Sequence, residues 1–292
     1  MIGVDWGSSS FRAYRIGPDG RVLDRREADC GIIDIGAADY PAALRQRIGD
    51  WLAVDSGPVL LSGMVGSRQG WREAPYAECP ADLNDLADAL CRVDIGAGRI
   101  GHIVPGLSCR DADGVPDVMR GEETQLFGLD MPAGDGMAVM PGTHSKHVRF
   151  QNGRVVSFAT AMTGEVFALL SRHGLIAAML PKDEAEFEET AFCDGLAASG
   201  RPGGLLHHLF GVRTRRLFDE LAAMAARDFL SGLLIGHELR GTEWRGEVRI
   251  IAGQKLATRY LKACGWLGIP AALAPEDAAA RGLYRLSRHL RG

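Results

Sequence analysis

Twice along this chain a run of paired strands gives way to alternating helices and strands, and that order restricts the fold more than any single motif does. The first run is "MIGVDW", "SFRAYRI" and "RVLDRREA", the last two joined by the turn "GPDG", which predicts three antiparallel strands. A helix over "YPAALRQRIGDWL", a buried strand over "PVLLSGMVG", a polar loop over "SRQGWREAPYAECP", a helix over "ADLNDLADALCRV" and a strand over "IGHIVPGL" are expected next. The second run opens at "GMAVMPG", with "THSKHVRF" and "RVVSFATAM" paired across "QNG". It continues into helix "DELAAMAARDFLSGLLIGHELRG", strand "EVRIIAG", helix "QKLATRYLKACGWLG" and a tail helix over "PEDAAARGLYRLSRHL". The pattern predicts an α/β protein of two similarly built halves, 1–132 and 133–292, although no literal repeat is visible. The Pro- and Gly-rich "DMPAGDG" is the natural seam, and the tail helix, 276–292, is free to pack back on the first half.

Bulk properties narrow the function classes. A chain of 292 residues with 46% hydrophobic content can fill two cores. Lys+Arg 33 against Asp+Glu 37 leaves a formal charge of -4, and the only like-charge block is "KDEAEFEE", so no nucleic-acid surface is expected. No apolar run reaches the roughly 18 residues of a membrane span, and Asp5 interrupts the N-terminus where a signal peptide needs an apolar core. A cytoplasmic protein without a membrane partner is expected. The six cysteines, Cys30, Cys79, Cys91, Cys109, Cys193 and Cys264, have no Cys-x-x-Cys spacing and read as reduced, mostly buried small apolar residues.

Five stretches carry chemistry. In "VDWGSSS", Gly7 lets backbone N–H groups approach a phosphate, Ser8, Ser9 and Ser10 add hydroxyl donors, and Asp5 can hold a water of a hydrated Mg²⁺; a plain polar turn has the same composition. In "DVMRGEETQLFGL", Glu122 and Glu123 follow Gly121 at the first turn of a short helix, beside Arg120. One carboxylate there is explained as a dipole complement, whereas two make a candidate base for a substrate hydroxyl. In "MPGTHSKHV", Gly142, Thr143, His144, Ser145 and Lys146 crowd donors onto a hairpin turn suited to phosphate or an acidic substrate. In "SGMVGSRQGWREAPY", Arg68 is a candidate for gripping a carboxylate through its two-pronged fork, near Ser67, Gln69 and Trp71; an exposed arginine loop reads the same way. In "VRIIAGQKLATRYL", Gly253 between strand and helix can lie against a flat ring or ribose, with Lys255 in the first turn.

Other motifs fail on context. "GAGRIG" has the dinucleotide spacing but follows an expected helix and precedes a strand, the reverse of the fingerprint. There is no Gly-x-x-x-x-Gly-Lys-[Ser/Thr], so an ATP site here is not a P-loop. His144 and His147, three apart on a strand, point to opposite faces and make a poor metal pair. His207-His208 reads as helix surface or satisfied core.

In this order, "DWGSSS", "PGTHSKH" and "IIAGQKL" resemble the two phosphate loops and the adenosine motif of the actin and sugar-kinase superfamily. That resemblance implies two ribonuclease H-like domains, an actin/hexokinase-type fold, with an interdomain ATP cleft. "VDWGSSSFRAYR", "GMVGSRQGW", "DVMRGEETQLFGL", "PGTHSKHV" and "MTGEVFALL" together resemble, over nearly the whole chain, the 2-dehydro-3-deoxygalactonokinase family. It implies ATP-dependent phosphorylation of the 6-hydroxyl of a 2-keto-3-deoxy sugar acid in galactonate catabolism. The implied base is Glu122, with Glu123 open as its neighbour because sugar kinases usually carry aspartate. The implied ATP contacts are Asp5, Gly7, Ser8, Ser9, Gly142, Thr143, His144, Gly253 and Lys255, with Mg²⁺ held through water at Asp5. The implied sugar-acid contacts are Arg12, Ser67, Arg68, Gln69, Trp71, Arg120 and Lys146. ATP and a small sugar acid are the partners, a homodimer stays open, and the alternatives are a kinase of another sugar or sugar acid or a non-catalytic ATP-binding regulator.

Overall fold

Strands buried on both faces carry near-continuous apolar runs. That is the pattern of β1 (Ile2–Trp6) and β4 (Val59–Ser62), which pair in parallel. The computed structural model describes residues 1–35, 39–130, 134–180 and 186–290. The chain divides into two units, Met1–Asp135 with Val148–Phe158 and Pro275–Gly292, and Gly136–His147 with Ala159–Ala274. Residues 132 and 133, either side of the expected seam, lie outside the described residues, as do residues 182–185 of the acidic block.

In the first unit β2 (Phe11–Ile16) and β3 (Val22–Ala28) come after β1 as an antiparallel meander. Then come α1 (Ile32–Ile35), α2 (Tyr40–Val54), β4, a 3₁₀ turn (Met64–Gly66), β5 (Tyr76–Glu78) and α3 (Leu83–Asp88). The unit goes on through β6 (Cys91–Gly96), β7 (Arg99–Ile103), β8 (Gly106–Arg110), β9 (Pro116–Met119) and α4 (Glu122–Phe127). The main sheet runs β3-β2-β1-β4-β7-β6, with β1, β4 and β7 mutually parallel. Its core is built on Val4, Trp6, Phe11, Leu44, Trp51 and Leu61.

The second sheet runs β12-β11-β10-β13-β14, from β10 (Asp135–Met140), β11 (Ser145–Gln151), β12 (Arg154–Ala161), β13 (Val248–Ile250) and β14 (Ala271–Leu273). Here β10, β13 and β14 are parallel. The order meander, first strand, then two parallel strands is the same as in the first sheet. Helices α5 (Thr163–Arg172), α6 (Gly174–Ala177), α7 (Glu189–Ser199), α8 (Gly204–Leu217), α9 (Ala226–Arg240) and α10 (Gln254–Leu267) complete the second unit. The last helix, α11 (Ala278–Ser287), belongs to the first unit. In such sheets ligands gather outside the carboxyl ends of the parallel strands, so the turns leaving β1, β4, β10 and β13 are the places where a site is expected.

Several local expectations are corrected. The helix expected over "ADLNDLADALCRV" stops at Asp88, and Cys91, Val93 and Ile95 begin the alternating strand β6. "GAGRIG" is therefore the turn between antiparallel β6 and β7 and comes after a strand, so it remains excluded as a dinucleotide loop. "IGHIVPGL" is two strands, β7 in the main sheet and β8 in a small sheet β5-β8-β9, and the polar loop before them contains β5. Helix α9 starts at Ala226, so "DELAAMA" lies outside it. Of the cysteines, all free, only Cys109 and Cys264 are buried; the other four are half-buried.

Candidate active site

The carboxyl ends of β1 and β4 and the start of α4 converge because two glycines allow it. Gly63 has φ 91°, and a Cβ there would sit 2.8 Å from the Trp6 carbonyl oxygen and 3.3 Å from Asp5 Oδ1. Gly121 has φ 105°, and a Cβ there would lie 3.1 Å from Gly63 Cα. Positive φ combined with such crowding strains any residue that carries a side chain. Glu122 then starts α4 close enough to Asp5 to act on its charge. Burial pushes the Asp5 carboxyl up to about 6; Arg12, with Nη1 3.5 Å from Oδ2, opposes the rise, and Glu122 adds to it. A desolvated carboxyl group with a second carboxyl beside it suits a hard dication with oxygen ligands. Among the described residues no cluster of three or more His, Cys, Asp or Glu could hold a metal alone, so Mg²⁺ here would complete its shell with water and phosphate oxygens.

The adjacent glutamates differ sharply. Glu122 is half-buried, and its Oε2 accepts the Arg120 N–H at 3.0 Å. Glu123 is wholly buried, its Oε2 accepts the Gly121 N–H at 2.6 Å, and its Oε1 has no hydrogen-bond partner among the described residues. Burial, reinforced by Glu122, pushes Glu123 up to about 8, so it is mostly a neutral acid at neutral pH. Between its ordinary value of 4.5 and about 8 the unfolded chain gives up this proton while the folded chain keeps it, and stability falls as pH rises across that window. Glu123→Gln removes the effect. Its melting temperature relative to wild type should climb from about pH 5 to about pH 8, and a flat difference would mean that Glu123 is ionised in the folded chain.

The turn after β1 is closed by the Gly7 N–H donating to the Ser10 carbonyl at 2.8 Å. Ile32 and Ile33 N–H groups brace it from outside through the Gly7 and Ser8 carbonyls, at 3.0 and 3.2 Å. Sequence reading missed this brace; its signal is Gly31, where a Cβ would collide with the Ser8 backbone. Ser8 is half-buried and Ser9 exposed. Of the expected sugar-acid contacts, Arg12 lies beside Asp5. Arg120 donates to the Ala74 carbonyl at 2.8 Å and stacks over Tyr76 at 4.4 Å. Trp71 stacks on Tyr40 at 5.6 Å, and the Gln69 carbonyl accepts the Tyr40 hydroxyl at 3.4 Å. The Ser67 hydroxyl is buried. Arg68 is 86% exposed and pairs with Glu73 at 3.0 Å.

In the second unit the turn Gly142-Thr143-His144 sits against the first turn of α5. The Thr143 carbonyl accepts the Glu165 N–H at 2.9 Å, His144 Nε2 lies 2.5 Å from Glu165 Oε2, and a Cβ on Gly164 would collide with the Gly142 carbonyl. Thr143 and His144 are exposed; Lys146 is buried and donates to the His144 carbonyl at 3.3 Å. A cavity of about 550 Å³ opens beside this turn, lined among others by Gly142, Thr163, Phe167, Gln254, Lys255 and Arg259, a volume that accommodates a nucleotide-sized ligand. Gly253 caps α10, where a Cβ would meet open space. Arg259 is fixed by Asp228 at 2.6 Å and by the Phe187 ring at 4.6 Å. The "MTGEVFALL" stretch at the start of α5 entered the sequence reading only through the family resemblance, with no residue of it given a role, and no motif pointed to these aromatic walls. His144 and His147 have separate partners, Glu165 and Glu238. His208 is buried and bonded to His237 at 2.9 Å.

Known proteins are similar to this chain over nearly its whole length. A 2-dehydro-3-deoxygalactonokinase of Escherichia coli (strain K12) is 35% identical over 292 residues, covering 99% of this chain and 97% of that protein. A Rhizobium meliloti (strain 1021) protein named as a probable enzyme of the same kind is 38% identical over 294 residues, covering 98% of this chain and 95% of its own. A crystal structure carrying that enzyme name, from Sinorhizobium meliloti, superposes with a TM-score of 0.89 at 36% identity over 98% of both chains. A Porphyromonas gingivalis structure described as an N-acetylglucosamine kinase reaches a TM-score of 0.50 at 14% identity over 99% of this chain and 98% of its own, a likeness of fold alone. The fold is of the two-domain actin/hexokinase type. The model of the family described as 2-keto-3-deoxy-galactonokinase matches residues 5–286, from the Asp5 near the end of β1 to the last turn of α11, and the chain belongs to that family of carbohydrate kinases.

Proposed function

We propose that the chain transfers the γ-phosphoryl group of ATP to the 6-hydroxyl of 2-dehydro-3-deoxy-D-galactonate, in galactonate catabolism in the cytoplasm. The observation that carries this reading is the placing of Glu122 beside Asp5 at the carboxyl ends of parallel strands, in a chain of this family. Bound Mg²⁺ supplies charge neutralisation and a template for the phosphates, and Asp5 would hold it through water. Phosphoryl transfer has a loose transition state, so alignment and charge stabilisation do most of the work. Glu122 orients the 6-hydroxyl and takes its proton late. Gly7, its N–H spent on Ser10, shapes the turn from which Ser8 and Ser9 contact phosphate. In the second unit Gly142, Thr143 and His144 receive the terminal phosphates, and Gly253 and Lys255 the nucleoside end. The sugar acid is assigned to Arg12, Ser67, Arg68, Gln69, Trp71, Arg120 and Lys146.

A coupled assay of ADP release tests the reading with 2-dehydro-3-deoxy-D-galactonate, its C4 epimer, neutral hexoses and no acceptor. Release should depend on the galactonate derivative and exceed that with its epimer. Nucleotide binding with no acceptor-dependent release would sink the reading, and preference for a neutral sugar would reassign the substrate.

A further inference from the structure

One buried acid in the second unit has no part in the chemistry above, yet it ties together three of the elements around the cavity. Glu238 lies on α9, a helix buried nearly all round, and its side chain is 1% exposed. Its Oε1 accepts the Ser145 hydroxyl at 2.7 Å and lies 2.8 Å from His147 Nε2; its Oε2 accepts the Tyr260 hydroxyl at 2.6 Å. The Thr163 hydroxyl is a further hydrogen-bond partner. His147 is itself oriented by Thr242, with Nδ1 2.6 Å from Oγ1, and by the Trp244 ring at 4.8 Å.

The partners are not scattered. Ser145 comes directly after the Gly142-Thr143-His144 turn, Thr163 starts α5, and Tyr260 stands on α10. Thr163 and Tyr260 line the 550 Å³ cavity together with Gly142. A carboxylate only accepts, through two oxygens with about four lone-pair directions, and here hydroxyls from three separate elements donate to it. Burial pushes Glu238 up, but its bond to His147, the charge of that ring and the Thr163 and Tyr260 hydroxyls outweigh it and hold the carboxyl below its ordinary value.

We propose that Glu238 is a positioning residue for nucleotide binding, its carboxylate fixing the Gly142–His144 turn, the start of α5 and α10 at the spacing the bound nucleotide requires. This rests on reading the cavity as the nucleotide site. An amide at 238 leaves one oxygen to accept and presents an NH₂ to a hydroxyl that was donating, so one wall must shift or one donor go unpaired.

The test uses the full chain and the variant Glu238→Gln, with ADP affinity measured by calorimetry and KM determined for both substrates. ADP binding should weaken at least about tenfold, the step that a defect of one to two hydrogen bonds gives, and KM for ATP should rise with it. KM for the sugar acid should hold within about twofold, a split that general loosening of the fold would not produce. Unchanged ADP affinity despite a lower melting temperature, or equal increases in both KM values, overturns the proposal. If Glu238→Gln does not fold, Ser145→Ala decides. Ser145 is fully buried and spends its hydroxyl on Glu238, so it reaches the ligand only through this network; a several-fold loss of ADP affinity supports the proposal, and none rejects it. Wild type that binds ADP but turns over no acceptor would defeat the kinase reading while leaving the ADP comparison to judge Glu238, whereas wild type that binds no ADP defeats both.

Discussion

Glu122→Gln should lower turnover by about 10²–10⁴-fold with little change in KM for either substrate, measured as steady-state ADP release. The glutamine keeps the shape and the acceptor oxygen that the Arg120 N–H uses at 3.0 Å, so folding and ground-state binding should survive. What it lacks is a charged acceptor for the proton leaving the attacking hydroxyl. A free carboxylate near pKa 4.3 is a weak base toward an alcohol, so most of the loss comes from an oxygen that no longer holds the hydroxyl in line and no longer stabilises its developing positive charge. The neighbouring Glu123 supplies the contrast. It is wholly buried and tied to the Gly121 N–H, so Glu123→Gln should retain most of the activity and alter mainly the pH dependence of stability. Near-normal turnover in Glu122→Gln together with collapse in Glu123→Gln would reverse the two roles.

The legible and illegible parts of this molecule separate by physical cause. Strand meanders and amphipathic helices declare themselves through periodicity, so β1 to β3 and helices α2, α10 and α11 stand within a few residues of expectation. The helix read over "ADLNDLADALCRV" is too long because its Ala- and Leu-rich first half sets the period before the alternation of Cys91, Val93 and Ile95 begins. The small β5-β8-β9 sheet hides because β5 has three residues, too few for any period to show. At the site, chemistry-bearing types such as Asp5 and Glu122 advertise themselves, whereas the features that bring them together do not. Gly63 and Gly121 look like any loop glycines until their φ values are known. Glu238 left a faint signal, a lone acid amid "FLSGLLIGHEL", and its partners are set by long-range contacts that no local pattern encodes.

The tail helix offers the other large effect, because α4 has no room to move. Gly282 of α11 lies against α4 so closely that a Cβ there would collide with the Thr124 carbonyl oxygen and stand 2.7 Å from its carbon. Reciprocally, a Cβ on Gly128 at the end of α4 would meet the Ala278 carbonyl, with its carbon at 2.7 Å. Arg285 then caps α4, its Nη1 donating to the Phe127 and Leu129 carbonyls at 2.9 and 2.5 Å. Gly282→Ala must therefore push the two helices apart. Overpacking of this kind costs about 1–3 kcal/mol, occasionally more, or roughly 2–12 °C in the melting temperature of a unit this size. Because Glu122 is the first residue of α4, the shift should also reach catalysis, where a misplacement on the order of 1 Å can remove about 10² in rate. Gly265→Ala is the control: it too is a helical glycine, but a Cβ there meets nothing within 4 Å, so it should be neutral or slightly stabilising. Equal melting temperatures and turnover in the two variants would show that the contact between α4 and α11 is slack enough to absorb a methyl group, and that α4 is held in place by β9 and Gly121 alone.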